Sequence, residues 1–140
     1  MKQLVAIIAV FVIVLACSTQ KTGVAMSSGP AKNDTVRIAN DSLEYEVIVI
    51  DPGFSSWLAS RAYPRQYYSQ SYLESKNRIW VAEWNNRARN QLQFRDLYDM
   101  TIDYDPTVNY GYEVNYLLYN YLVYFQNKYR QRLGGYVPDR

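Results

Sequence analysis

Between Tyr112 and Phe125 (YEVNYLLYNYLVYF) only Glu113, Asn115 and Asn120 are neither apolar nor aromatic. At 3.6 residues per turn, a helix of this composition points apolar side chains in every direction and must be covered on more than one side. The helix is expected to run from about Tyr110 to Leu133, with Gly134-Gly135 as its stop. Such a rod has to lie at the centre of its domain, and the rest of the chain has to serve as its cover.

The rest supplies suitable pieces. Thr35–Ala39 (TVRIA) and Leu43–Ile50 (LEYEVIVI) are β-rich runs around Asn40-Asp41-Ser42, a hairpin signal. Leu43, Tyr45, Val47 and Val49 share one face of the second run. Glu44 and Glu46 give way to Ile48 and Ile50 on the other, which predicts a face that passes from wet to buried. Asp51 is placed to cap a helix with Pro52 at its first position, and Phe54, Trp57, Leu58 and Ala62 keep helical spacing up to Tyr63-Pro64. A second helix is expected from about Ser69 to Gln91, with Tyr72, Leu73, Trp80, Trp84 and Ala88 as its apolar stripe. Asp103-Tyr104-Asp105-Pro106 looks more like turn chemistry than a third strand. The expected fold is therefore α+β. A small antiparallel β-hairpin or sheet packs with three α-helices, the C-terminal one central, in a single globular domain over residues 34–140.

The other end of the chain speaks of export. After Lys2, Leu4 to Ala16 holds no polar side chain. As a helix that run measures about 20 Å, too short for a hydrocarbon core of roughly 30 Å, and it fits the apolar region of a signal peptide. Leu15-Ala16-Cys17 resembles the bacterial lipobox, which predicts cleavage of residues 1–16 and lipid attachment at Cys17. The alternatives are an uncleaved anchor or a buried strand, and neither accounts for a lone cysteine at the end of the run. Residues 17–33 (CSTQKTGVAMSSGPAKN) then form a lipidated cysteine and flexible tether.

Composition closes several routes. Cys17 is the only cysteine, so lipidation leaves the domain without thiol or disulfide, and there is no histidine. Ser-His-Asp and Cys-His catalysis, His-ligated metals and thiolate zinc sites are thereby excluded. Losing Lys2 takes the net charge from +2 to +1, which offers no global field for nucleic acid. No catalytic residue is assigned and no cofactor is called for.

Four surfaces remain as candidates. The loop Tyr63-Pro64-Arg65-Gln66-Tyr67-Tyr68-Ser69-Gln70-Ser71-Tyr72 interleaves rings with amides and hydroxyls; Tyr67, Tyr68 and Tyr72 could stack on sugars or enter a protein interface. The plain alternative is tyrosines lying over the core. Trp84-Asn85-Asn86-Arg87 is odd inside a helix, because adjacent asparagines cost helix propensity. A ligand contact or a buried polar network would explain it, and the network is the commoner answer. Asn115 and Asn120 invite the same interior bonding. Asp96, Asp99, Asp103, Asp105 and Glu113 cluster without an intervening base. Asp103 and Asp105 are weak calcium candidates, and a pair of these acids could serve glycoside hydrolysis; the plain alternative is a solvated turn with Asp103 or Asp105 as a cap. Seven bases between Arg61 and Arg95 face only Glu74 and Glu83. Pairing with the acidic stretch that follows is expected over an anionic-ligand site.

Several longer words strengthen the picture: Glu44–Leu58 (EYEVIVIDPGFSSWL), YYSQSYLESKN, EWNNR, IDYDP and YGYEVNYLLYNYLVYFQNKY. Together these resemble a family of small Bacteroidota lipoproteins that carries no assigned activity. The resemblance implies an exported lipoprotein and transfers no catalytic residue. Acidic residues soon after the cysteine usually mark surface export in that phylum, and Ser18-Thr19-Gln20-Lys21 lacks them. The expected location is the cell envelope, at the outer membrane facing the periplasm. The leading expectation is a non-catalytic module that is membrane-anchored through its N-terminal lipid and binds an envelope protein or glycan. A carboxylate-dependent hydrolase of envelope glycan is the alternative, and a calcium-stabilised structural domain stands third.

Overall fold

The computed structural model describes residues 35–94 and 97–140. Strands β1 (Thr35–Asn40) and β2 (Tyr45–Ile50) form an antiparallel hairpin in which Thr35 faces Ile50 and Asn40 faces Tyr45. Its corner is a 3₁₀ turn at Asp41–Leu43, held where the Ser42 amide and hydroxyl donate to Asn40 Oδ1. Helices α1 (Phe54–Arg61), α2 (Gln70–Arg89), the single turn α3 (Gln91–Phe94) and α4 (Tyr112–Lys128) follow. The fold is α+β, with the C-terminal helix α4 packed on α2, α1 and β1.

That centrality follows from the composition of α4. Val114 through Asn120 are buried without a break, and burial resumes from Leu122 to Gln126. Trp80, Leu73 and Val81 of α2 meet it on one side, with Phe54 of α1 and Ile38 of β1 completing the core. The amide nitrogens inside find partners, while Asn77 Oδ1 and Asn120 Oδ1 have none among the described residues. Asn77 Nδ2 donates to the Asn115 carbonyl and to Asn115 Oδ1, which also accepts from the Tyr104 hydroxyl at 2.8 Å. Asn120 Nδ2 donates back to the Tyr116 carbonyl. Interior bonding of Asn115 and Asn120 is thus as expected; Asn77, fully buried, joins them unforeseen.

Three local expectations need correcting. Ile48 and Ile50 are 55% and 77% exposed, because no described element covers the outer face of the hairpin. Asp51 does not cap α1; Gly53, at φ +98°, occupies the cap, and a Cβ there would meet the Tyr124 hydroxyl at 3.2 Å. The Asp51 carboxylate turns instead to the far end of α4. There it accepts from Lys128 Nζ at 2.5 Å and from the hydroxyls of Tyr124 and Tyr129. Finally, α4 stops at Lys128 rather than Leu133. Arg130 turns left-handed at φ +52°, the Gln131 amide donates to the Gln126 carbonyl, and buried Gln126 Oε1 takes the Leu133 amide at 2.7 Å. A side chain thereby satisfies the donor that another helical turn would have used.

Candidate functional site

The loop between α1 and α2 gathers its rings into one ordered cluster. Tyr63 and Tyr67 lie 4.2 Å apart between centroids, Tyr67 meets Tyr68 edge-on at 4.8 Å, and Tyr68 stacks on Tyr72 at 4.4 Å. Tyr119 of α4, fully buried, underlies Tyr68 and Tyr72. Exposure falls steadily from Tyr67 (59%) through Tyr63 (40%) to half-buried Tyr68 and Tyr72. Burial raises the Tyr119 and Tyr72 hydroxyl pKa values above the ordinary tyrosine value.

Two arginines frame this surface. The Arg140 guanidinium covers the Tyr63 ring at 3.6 Å and donates to the Tyr68 hydroxyl, while its carbonyl lies 3.5 Å from Trp57 Nε1. Arg65 forks onto Glu113 of α4, through Nε at 2.8 Å and through Nη2, and lies over Tyr116. Gln66, at φ +70°, gives its amide to the Tyr112 hydroxyl. The loop is therefore fastened to α4 at several points while Tyr63 and Tyr67 keep ring area in the solvent. The sequence pointed to Tyr67, Tyr68 and Tyr72; Arg140 carried no signal, since only the folded chain brings it to the loop.

Trp84, Asn85 and Arg87 have a different fate. Trp84 is buried against Phe125 and Tyr98, and its indole N–H donates to the Met100 carbonyl. Asn85 holds both backbone groups of Ile102, its Nδ2 donating to the carbonyl at 2.8 Å and its Oδ1 accepting the amide at 2.7 Å. Arg87 donates to Glu83, the Tyr98 hydroxyl, Gln131 Oε1 and the Arg132 carbonyl. This is the polar network, and it ties the 98–102 and 131–132 segments to α2. Asn86 alone of the four is exposed, on the wall of a groove of about 520 Å³.

The described acids of the acidic stretch do not gather into a metal-binding group. Asp103 and Asp105 are exposed, and Asp105 Oδ1 accepts from the Thr107 amide and hydroxyl, which lower the Asp105 pKa. Among the described residues no three metal-ligating side chains come together. The groove has a single carboxylate, Glu83, which is already paired with Arg87. The expected mutual pairing of basic and acidic stretches comes down to one described bridge, Arg65–Glu113. Arg37 pairs within the hairpin turn and Lys128 with Asp51, because partners are chosen by packing rather than by nearness in sequence. Cys17, the signal peptide and the tether lie outside the described residues, as does Asp96. Among the described residues no helix is long and apolar enough to cross a membrane.

The profile of a family of unknown function, DUF6146, matches residues 5–138. This chain belongs to that family. No curated protein and no solved structure matches it. Membership of DUF6146 fixes no reaction, so the functional reading rests on the surfaces above.

Proposed function

We propose that this DUF6146 chain is a lipid-anchored, non-catalytic binding module of a bacterial envelope, of the kind its Bacteroidota resemblance implies. Residues 1–16 are removed, Cys17 carries the lipid, and residues 17–33 tether the domain on the periplasmic side of the outer membrane. Cys17 and the apolar run from Val5 onward fall inside the stretch matched by the family. Acylation on more than one chain would give firm attachment, since each buried methylene contributes about 0.8 kcal/mol.

One observation carries the binding reading: the exposed Tyr63–Tyr67 ring pair, set on a bed of packed tyrosines and two bound arginines. A loop ordered before it meets a ligand loses little entropy on binding, and exposed tyrosine rings suit both sugar faces and protein hot spots. The ligand is an envelope glycan or protein. The hydrolase alternative draws no support from the groove, where no two acids face each other.

The test has two arms. Cells treated with globomycin should accumulate precursor, and the mature chain should take up labelled palmitate through Cys17. A photo-crosslinking residue at position 67 should capture an envelope component that Tyr63→Ala no longer captures. If position 67 captures nothing and purified peptidoglycan and envelope glycans are not retained, the binding reading fails, whatever the lipid experiment shows.

A further inference from the structure

The segment after α4 runs antiparallel to α2. Arg87 donates to the Arg132 carbonyl, Trp80 to the Gly134 carbonyl at 2.7 Å, and Lys76 to the Tyr136 carbonyl at 3.1 Å. One stripe of α2 thus fixes alternate carbonyls of an irregular strand. Between this segment and the outer face of α2 lies the groove already mentioned. Ile79, Ala82, Leu133 and Gly134 form its apolar part, and Glu83, Asn86, Arg87 and Arg132 its polar part. Gly134 is required at φ +114°, since a Cβ there would meet Ile79 Cγ2 at 3.2 Å and crowd the floor.

Its polar groups differ in how far they are committed. Glu83 is neutralised by Arg87, and Arg87 is spent on four acceptors with Phe94 and Tyr98 beneath it. The Asn86 side chain makes no hydrogen bond with a described residue, and the Arg132 guanidinium makes only a long contact to its neighbour's carbonyl, Gln131 O, at 3.4 Å. Lys76 lies outside the groove's lining, its ammonium bonded to the Tyr136 carbonyl and set over the Trp80 ring. The groove therefore offers a positive lip, a free amide and a half-exposed Ile79 side by side.

We propose that this groove binds an acidic peptide segment of a partner protein. A carboxylate meets Arg132, main-chain amides meet Asn86, and an apolar side chain rests on Ile79. From Ile79 to Asn86 the helix rises about 10 Å, room for roughly three extended residues. Charge complementarity selects an acidic occupant, and the apolar floor selects a peptide over a purely polar polyanion. The site shares no residue with the tyrosine surface, so it stands or falls separately from it.

The experiment is fluorescence anisotropy of a fluorescein-labelled peptide of alternating glutamate and leucine, titrated with the full-length chain in detergent. Saturable binding is expected, with none for an alternating lysine–leucine peptide. Arg132→Glu should weaken it by about tenfold and Asn86→Ala by about threefold. Ala82→Trp should fill the groove and abolish binding. Arg132 and Asn86 are exposed, so circular dichroism and melting should not change with either. Arg61→Glu makes the same charge change on α1 and should leave affinity intact. An equal loss with Arg61→Glu, no effect of Ala82→Trp, or no saturable binding would overturn the proposal. So would tighter, Arg132-dependent binding of polygalacturonate or phosphatidylglycerol vesicles, which would make the occupant a glycan or a lipid headgroup.

Discussion

The loop from Tyr63 to Tyr72 and the helical turn from Trp84 to Arg87 offer similar chemistry: rings, amides and an arginine. In the folded chain they part company. Trp84, Asn85 and Arg87 each bond to a segment distant in sequence, and none keeps a free polar edge for a ligand. The tyrosine loop is also tied down, but by its backbone and by Arg65, so Tyr63 and Tyr67 keep exposed faces. An unusual polar word in a helix usually answers a need elsewhere in the chain. An aromatic word in a loop can answer a need outside it.

Substitutions should break this contrast if it is wrong. The largest loss of stability is expected for Trp84→Ala, about 3–5 kcal/mol, from the lost ring and an orphaned Met100 carbonyl. Urea unfolding would measure it; a loss under about 1 kcal/mol would mean the indole is not part of the core. Asn85→Ala comes next, at about 1–3 kcal/mol, because it strands both backbone groups of Ile102. Asp51→Asn should cost about 1–3 kcal/mol: the carboxylate is buried, although Lys128 is partly exposed and so partly screened by solvent. Tyr67→Ala should change stability by no more than about 0.5 kcal/mol while removing the product captured by a photo-crosslinking residue placed at position 63. A Tyr67→Ala variant that melts far lower would place that ring with Trp84 rather than apart from it.

Alkaline pH probes the interior of both regions. Burial pushes the Tyr104 hydroxyl up to about 12 and raises Tyr45, Tyr119 and Tyr121 further. Burial alone lowers the Lys128 pKa, but hydrogen bonds to Asp51, Tyr124 and Tyr129 outweigh it and the net shift is upward. In each case the folded chain keeps a proton that the unfolded chain releases above pH about 10, so stability is full below that value and falls above it. The urea midpoint should hold steady from about pH 7 to 9 and decline by about pH 11. Tyrosinate absorbance should rise further when the chain unfolds. A flat midpoint across this range would contradict the burial of these hydroxyls.

The patterns that repeat along one element were legible before folding. The greasy run 112–125 requires a central helix, the stripe from Tyr72 to Ala88 requires α2 beside it, and Asn40-Asp41-Ser42 turns the hairpin. Each follows from local periodicity or local backbone chemistry, and each is present. The unusual Asn85 also announced a polar network, because a costly residue needs a compensating bond. What lay beyond reach depends on who meets whom. Asp51 was free to cap its own helix and bonded to Lys128 instead. Gln126, silent just past the apolar run, ends α4 by holding Leu133. Ile48 and Ile50 looked destined for a core that no described element supplies. Partner choice and coverage are settled by packing in three dimensions, where residues tens of positions apart compete for the same donors and the same face. The sequence by itself determined the elements and the central helix, while only the tertiary structure decided which polar groups are spent inside and which, like Tyr67, Asn86 and Arg132, stay exposed to solvent.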